Sequence, residues 1–283
     1  MENNTEILKQ KIQFLRNFLK RDSIKEKEIE LLKHFFLDFS FITGLTYKTK
    51  IEKFQRVTIN SRIFGEEKRI TEINHLENPP ELYVKRFGRA NMIGQSVLYA
   101  TDNPLTALAE MRPEAGQLIT ISKWKLITDY DLTVYSIFKN SPLTTDVGNL
   151  MTIKAQIEYS KLISKINYPK ELLDQIDLLI QFICDCFSKE VNDLNHFDYF
   201  LSAHYANQIF TTLQNGEIDA ILYPSVRQSL ELTNIAMKPA VFKANYVLES
   251  VEESKLVRFS NNGWQLEGTG DSKKFENGNI LWL

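Results

Sequence analysis

The sequence predicts a mixed α/β or α+β protein, and three observations lead there. Apolar residues recur at helical spacing through the first 40 residues and again between about 148 and 190. Short β-branched and aromatic runs take over from about residue 52. Strands and helices then interleave irregularly, without the steady βαβ rhythm of a doubly wound sheet.

Residues 3–21 place Leu8, Ile12, Leu15 and Leu19 on one helical stripe, widened by Phe14 and Phe18. Residues 24–40 repeat the pattern through Leu31, Leu32, Phe35, Phe36 and Phe39. Arg21-Asp22-Ser23 between them predicts a turn, with Asp22 or Ser23 as the cap. The result is a helical hairpin over 1–45, either packed on the main domain or used to join protomers as a homo-oligomer. Phe54-Gln-Arg56-Val-Thr-Ile59 and Ser96-Val-Leu-Tyr-Ala100 read as strands. Asp102-Asn-Pro104 opens a helix through Met111, because proline at the first turn lacks an N–H that would go unpaired anyway. Gln117–Ile127 and Thr133–Ile137 are further strands.

The helical stretch 148–190 divides at Pro169, with Leu150, Ile153 and Ile157 marking the first segment. Ile176, Leu179, Ile180, Ile183 and Phe187 mark the second. A helix over Phe200–Leu213 stops at Asn215-Gly216, and Ile218–Tyr223 is a buried strand. Val241–Val247 and Ser254–Phe259 complete a mixed sheet, and 261–283 is a C-terminal tail.

Of the 283 residues, 43% are hydrophobic and 25% charged, which supplies a globular core and excludes default disorder. A net charge of −2 provides no cationic face of the kind nucleic-acid binding needs, so no direct nucleic-acid partner is expected. No apolar run approaches the roughly 18 residues of a spanning helix, and no membrane partner is expected. The start carries neither the basic nor the apolar region of a signal peptide, so a cytoplasmic location is expected. Cys184 and Cys186 lie two apart in a helical segment and would point to different faces, so neither a disulfide nor a metal site is expected.

Three stretches can carry chemistry. Gly88-Arg89-Ala-Asn91 precedes a strand; its arginine can turn a guanidinium fork onto phosphate oxygens, or can be a solvent-facing turn residue. Glu110, in Thr106-Ala-Leu-Ala-Glu110, is either a solvated edge residue or a placed carboxylate. Ser225 ends Leu222-Tyr223-Pro224-Ser225 without a Gly-x-Ser-x-Gly elbow and without an evident histidine base. It suits binding of ligand oxygens, or a plain turn, better than a nucleophile's role.

In their order, these stretches resemble the RES domain, a family named for an Arg, a Glu and a Ser. The resemblance runs from about Phe54 to Val247, with 148–190 as a helical insertion, in a domain spanning 46–260. It rests on Gly88-Arg89-x-Asn91, Leu98-Tyr99-Ala100 and Ala107-Leu-Ala-Glu110, then on Gly216-x-x-Asp219-Ala-Ile-Leu-Tyr223-Pro-Ser225-Val226, with Asn234 following. Arg56 stands where the family carries its first arginine. Ala90 replaces the family's usual tryptophan and Thr233 a frequent glycine; the first bears on pocket packing, and neither removes a charged or hydroxyl group.

The resemblance implies an ADP-ribosyltransferase-like split β-sandwich whose cleft holds NAD as substrate, with no further cofactor and no metal. It implies a toxin that breaks the nicotinamide–ribose bond by hydrolysis or by phosphorolysis with phosphate. The alternatives are transfer of ADP-ribose to a protein, or a non-catalytic nucleotide- or partner-binding module. It also implies a helix-turn-helix antitoxin as partner. On that reading Arg56 and Arg89 neutralise the pyrophosphate and Tyr99 stacks on nicotinamide. Glu110 stabilises positive charge developing on the ribose, while Ser225 and Asn234 hydrogen-bond ribose or amide groups.

Overall fold

The computed structural model describes residues 4–21, 23–36, 46–138, 150–165, 168–191, 195–225, 233–260 and 263–283. Helix α1 (Asn4–Leu19) is followed by a 3₁₀ turn, Glu26–Glu28, that leads into α2 (Ile29–Phe36). Strands β1 (Thr46–Thr49) and β2 (Lys53–Ile59) come next, then the short α3 (Ser61–Phe64), β3 (Leu98–Thr101) and α4 (Pro104–Met111). Strands β4 (Leu118–Leu126) and β5 (Leu132–Ser136) precede helices α5 (Leu150–Lys165), α6 (Lys170–Ser188) and α7 (Phe200–Thr211). The chain finishes with β6 (Ala220–Pro224), β7 (Thr233–Met237), α8 (Pro239–Asn245), β8 (Tyr246–Ser260), β9 (Gly263–Ser272) and the two-residue strands β10 (Phe275–Glu276) and β11 (Asn279–Ile280). The fold is α+β.

The chain divides into two compact units. Residues 1–49, 81–95 and 132–233 form the first, which holds most of the helices. Its strands run β1-β5-β6, antiparallel and then parallel. The parallel pair starts at Asp219, whose Oδ2 accepts from the Thr133 N–H while its own N–H donates to the Thr133 carbonyl, both at 2.8 Å.

Helix α6 buries Ile180, Phe182, Ile183 and Phe187, and α7 buries Phe200, Leu201 and Ile209, as their 3.6-residue spacing requires. Tyr135 on β5 and Tyr205 on α7 share a hydroxyl hydrogen bond of 2.9 Å. The α1 stripe, with Ile12 and Leu15 buried, lies on α6. Arg16 pairs with Asp185 at 2.8 Å, and Thr5 bonds both Glu171 and Gln175. Phe14 stacks on Phe35 of α2 at 4.2 Å.

Some expectations move. Of the expected turn caps, Asp22 lies outside the described residues, and the 3₁₀ turn is held instead by Glu28, whose carboxylate accepts from the Lys25 N–H at 2.8 Å. Phe39, expected in the second helix, and residues 148–149 also lie outside the described residues. In α5, Ile157 is exposed, while the buried side carries Ala155, Gln156 and Tyr159. Tyr159 sets that orientation by packing edge-on to Phe138 and donating to Asp177 at 3.1 Å.

The second unit comprises residues 50–80, 96–131 and 234–283. Its strands run β7-β3-β2-β4-β8-β9, all antiparallel. Residues 241–245, expected in a strand, close α8 instead. Pro239 at its first turn presets helical φ, and Phe242 packs among Phe54, Trp124 and Tyr246. The stretch read as a tail supplies β9 and the β10–β11 hairpin. Its three glycines weaken the period-2 signal, but long pairing with β8 overrides their low propensity.

Candidate functional site

The second unit holds four of the expected residues, and three of them, Tyr99, Glu110 and Asn234, lie on the α4 side of the sheet. Asn103 caps this helix, its Oδ1 accepting from the Leu105 N–H at 2.8 Å. The helix ends at Arg112, in the left-handed region with φ 47°. Ala107 and Leu108 pack with Val57 and Ile59 of β2 and Ile119 and Ile121 of β4. That apolar contact fixes the helix over one face of the sheet.

Glu110, in the last turn, is half-buried, and Asn234 Nδ2 on β7 donates to its Oε1 at 2.9 Å. The register explains the meeting. Thr101 on β3 faces Asn234 on β7, and Gln55 on β2 faces Thr101, so the three side chains form one row under α4. Tyr99, two residues before Thr101, shares that face and is half-buried.

Arg56 takes the other face of β2, because strand side chains alternate: Gln55, Val57 and Ile59 point to α4, and Arg56 and Thr58 away from it. Its Nη1 donates at 2.9 Å to the Tyr99 backbone carbonyl, and its buried Nε has no partner. Burial disfavours the cation and pushes the guanidinium pKa down to about 10, which leaves it charged at neutral pH. Among the described residues no carboxylate pairs with it.

The other two expected residues stand in the first unit. In Gly88-Arg89-Ala90-Asn91 the Gly88 N–H donates to the Asn91 carbonyl at 3.1 Å, and the Asn91 amide donates to the carbonyls of Arg86 and Met92. Asn91 therefore holds the turn. Ala90 is fully buried there, so its small side chain leaves no exposed gap.

The turn aims Arg89 at the end of α6. Its Nη1 donates to the carbonyls of Phe187 and Lys189, the second at 3.1 Å, and its guanidinium lies 5.1 Å from the Tyr199 ring. Last-turn carbonyls have no intrahelical partner, and an arginine satisfies them well. Ser225, directly after β6, is fully buried. Val226, the next residue of the motif, lies outside the described residues.

The residues that sequence reasoning passed over are Gln55, Thr101 and Thr106. Thr106 is fully buried one turn ahead of Glu110. Alternation along Phe54–Ile59 already puts Gln55 opposite Arg56, but only pairing with β3 brings it into the Asn234 row. Among the described residues no group of three or more His, Cys, Asp or Glu side chains could hold a metal ion. Among those residues, too, no helix is long and apolar enough to cross a membrane.

A comparison with protein families matches residues 61–258 to the RES domain, which starts five positions after Arg56 and includes the helices α5 and α6. No curated protein matches the chain.

Proposed function

Because the chain belongs to the RES domain family, we propose that it cleaves NAD at the nicotinamide–ribose bond, by hydrolysis or by phosphorolysis. Membership supports a toxin-like, NAD-related role at the level of the family. The observation that carries the finer reading is the Glu110–Asn234 pair, a half-buried carboxylate held in one orientation on the sheet.

Leaving of nicotinamide builds positive charge on the ribose ring, and a fixed carboxylate beside it stabilises that charge without having to reorganise. Asn234 Nδ2 donates to one oxygen of Glu110 and so fixes the carboxylate's orientation. Tyr99, on the same face, offers a ring for nicotinamide to stack on. Arg56 points to the opposite face of β2 and takes no part in this arrangement; its guanidinium holds the Tyr99 backbone carbonyl. In hydrolysis, water adds to the anomeric carbon, giving nicotinamide, ADP-ribose and a proton. In phosphorolysis, phosphate takes water's place and the product is the ADP-ribose phosphoester.

Incubating the purified chain with NAD, with and without phosphate, and separating the products tests this. Free nicotinamide with ADP-ribose or its phosphoester is expected, and Glu110→Gln should keep NAD binding while losing about 10²-fold or more in turnover. NAD returned intact would overturn the reading, as would ADP-ribose attached to protein instead of released.

A further inference from the structure

The carboxamide oxygen of Gln55 is left unpaired in the fold. This atom, Oε1, is buried and makes no hydrogen bond to any described residue. Native structures rarely leave such atoms unpaired, because an acceptor removed from water loses its solvent bonds and gets nothing back. This one has a definite address. Gln55 faces Thr101, which faces Asn234, which binds Glu110. The row therefore spans three adjacent strands, with Gln55 two strand spacings, roughly 10 Å, from Asn234. A second unpaired atom lies at the same helix–sheet contact: Thr106 Oγ1, fully enclosed one turn before Glu110. On its other side Gln55 is beside Lys123 of β4, whose ammonium is occupied by Glu252. The unpaired acceptor thus belongs to the part-buried residue at the end of the row whose other end, Asn234, binds Glu110.

Resting on the NAD reading above, we propose that Gln55 is a substrate-binding residue, its Oε1 accepting from a hydroxyl of the nicotinamide-side ribose while Glu110 faces the reacting carbon. A hydroxyl fits the address better than a phosphate, because an amide oxygen only accepts and a phosphate oxygen at neutral pH has no proton to give. Gln55 would contribute equally to the ground state and the transition state, so its effect falls on binding and not on the chemical step.

The test uses the full chain with NAD, comparing Gln55→Met, which keeps the length of the side chain and removes the amide, with wild type. A rise in KM of about tenfold with kcat within about twofold is expected. Without NAD the variant should melt no lower than wild type, because replacing an unpaired acceptor by an apolar group removes a cost. The upward Tm shift produced by NAD should shrink. Gln55→Asn, which keeps an amide but withdraws it by one methylene, should also raise KM. A KM within twofold of wild type in both variants overturns the proposal. So does a ligand-free Tm several degrees below wild type, or failure of the variants to fold, either of which makes the amide structural. Absence of NAD binding and turnover in wild type is a different failure: it removes the NAD reading itself, and the proposed contact with it.

Discussion

Replacing Arg89 by alanine separates a ligand-binding arginine from a structural one. The guanidinium donates to two carbonyls at the end of α6 and lies over the Tyr199 ring, with only 9% of the residue exposed. A hydrogen bond from a charged donor contributes about 1.5–3 kcal/mol, and a cation over an aromatic ring about 0.5–1 kcal/mol or more. These contributions share one side chain and do not add fully, so a net loss of about 3 kcal/mol is the working figure. At about 2–4 °C per kcal/mol for chains near this length, Tm should fall by roughly 6–12 °C. Arg89→Lys should recover part of the loss, since an ammonium can reach one carbonyl but cannot span both in the planar geometry of a guanidinium. Thermal melts followed by far-UV circular dichroism, with NAD titrations on each variant below its melting range, give both readouts. A Tm within 2 °C of wild type together with weakened NAD binding would refute the structural assignment and return Arg89 to the pyrophosphate.

Asn234→Ala releases the Glu110 carboxylate from the Asn234 amide on β7, and about a tenfold loss in kcat with little change in Tm is expected from steady-state kinetics. Wild-type kcat in a folded Asn234→Ala would show that the orientation of Glu110 is irrelevant. Burial raises the Tyr205 hydroxyl to about 12 and the Tyr135 hydroxyl well above its ordinary value. The folded state then keeps protons that the unfolded chain begins to lose near pH 10. Stability is fully present below pH 10 and declines as pH rises toward 12, by up to about 1.4 kcal/mol per pH unit for each group. Urea unfolding at pH 9, 10 and 11 should show that slope, and Tyr205→Phe should reduce it; an equal slope in both would discount the pair. Deleting residues 1–45 uncovers the α6 surface under Ile12 and Leu15 and strands Asp185 without Arg16, so the remainder should aggregate or melt earlier by light scattering. A soluble, equally stable remainder would mean that α1 contributes nothing to the first unit.

The one-dimensional pattern carried the elements whose packing partner is a single apolar face. Helices α1, α4, α6 and α7 follow their 3.6-residue stripes, and β2, β4 and β6 their strand composition, because burial of one face is a local property of spacing. The order of motifs from Arg89 through Tyr99 and Glu110 to Ser225 carried the family. Where two signals compete the spacing misleads. In α5 the isoleucines look like the core face, yet a Tyr159 contact turns Ala155 and Gln156 inward; at 241–245 the strand-like composition yields to Pro239 and the aromatic packing of Phe242. The site itself was legible only as residue types. That Glu110 meets Asn234, 124 residues away, follows from the β3–β7 register. That Arg89 meets the Phe187 carbonyl, 98 residues away, follows from where α6 ends. Register and helix ends are set by hydrogen-bond partners distant in the chain, which no periodicity encodes. Residue chemistry is therefore written in the sequence, while the direction in which Arg56, Arg89 and Gln55 spend their polar atoms is decided by tertiary structure alone.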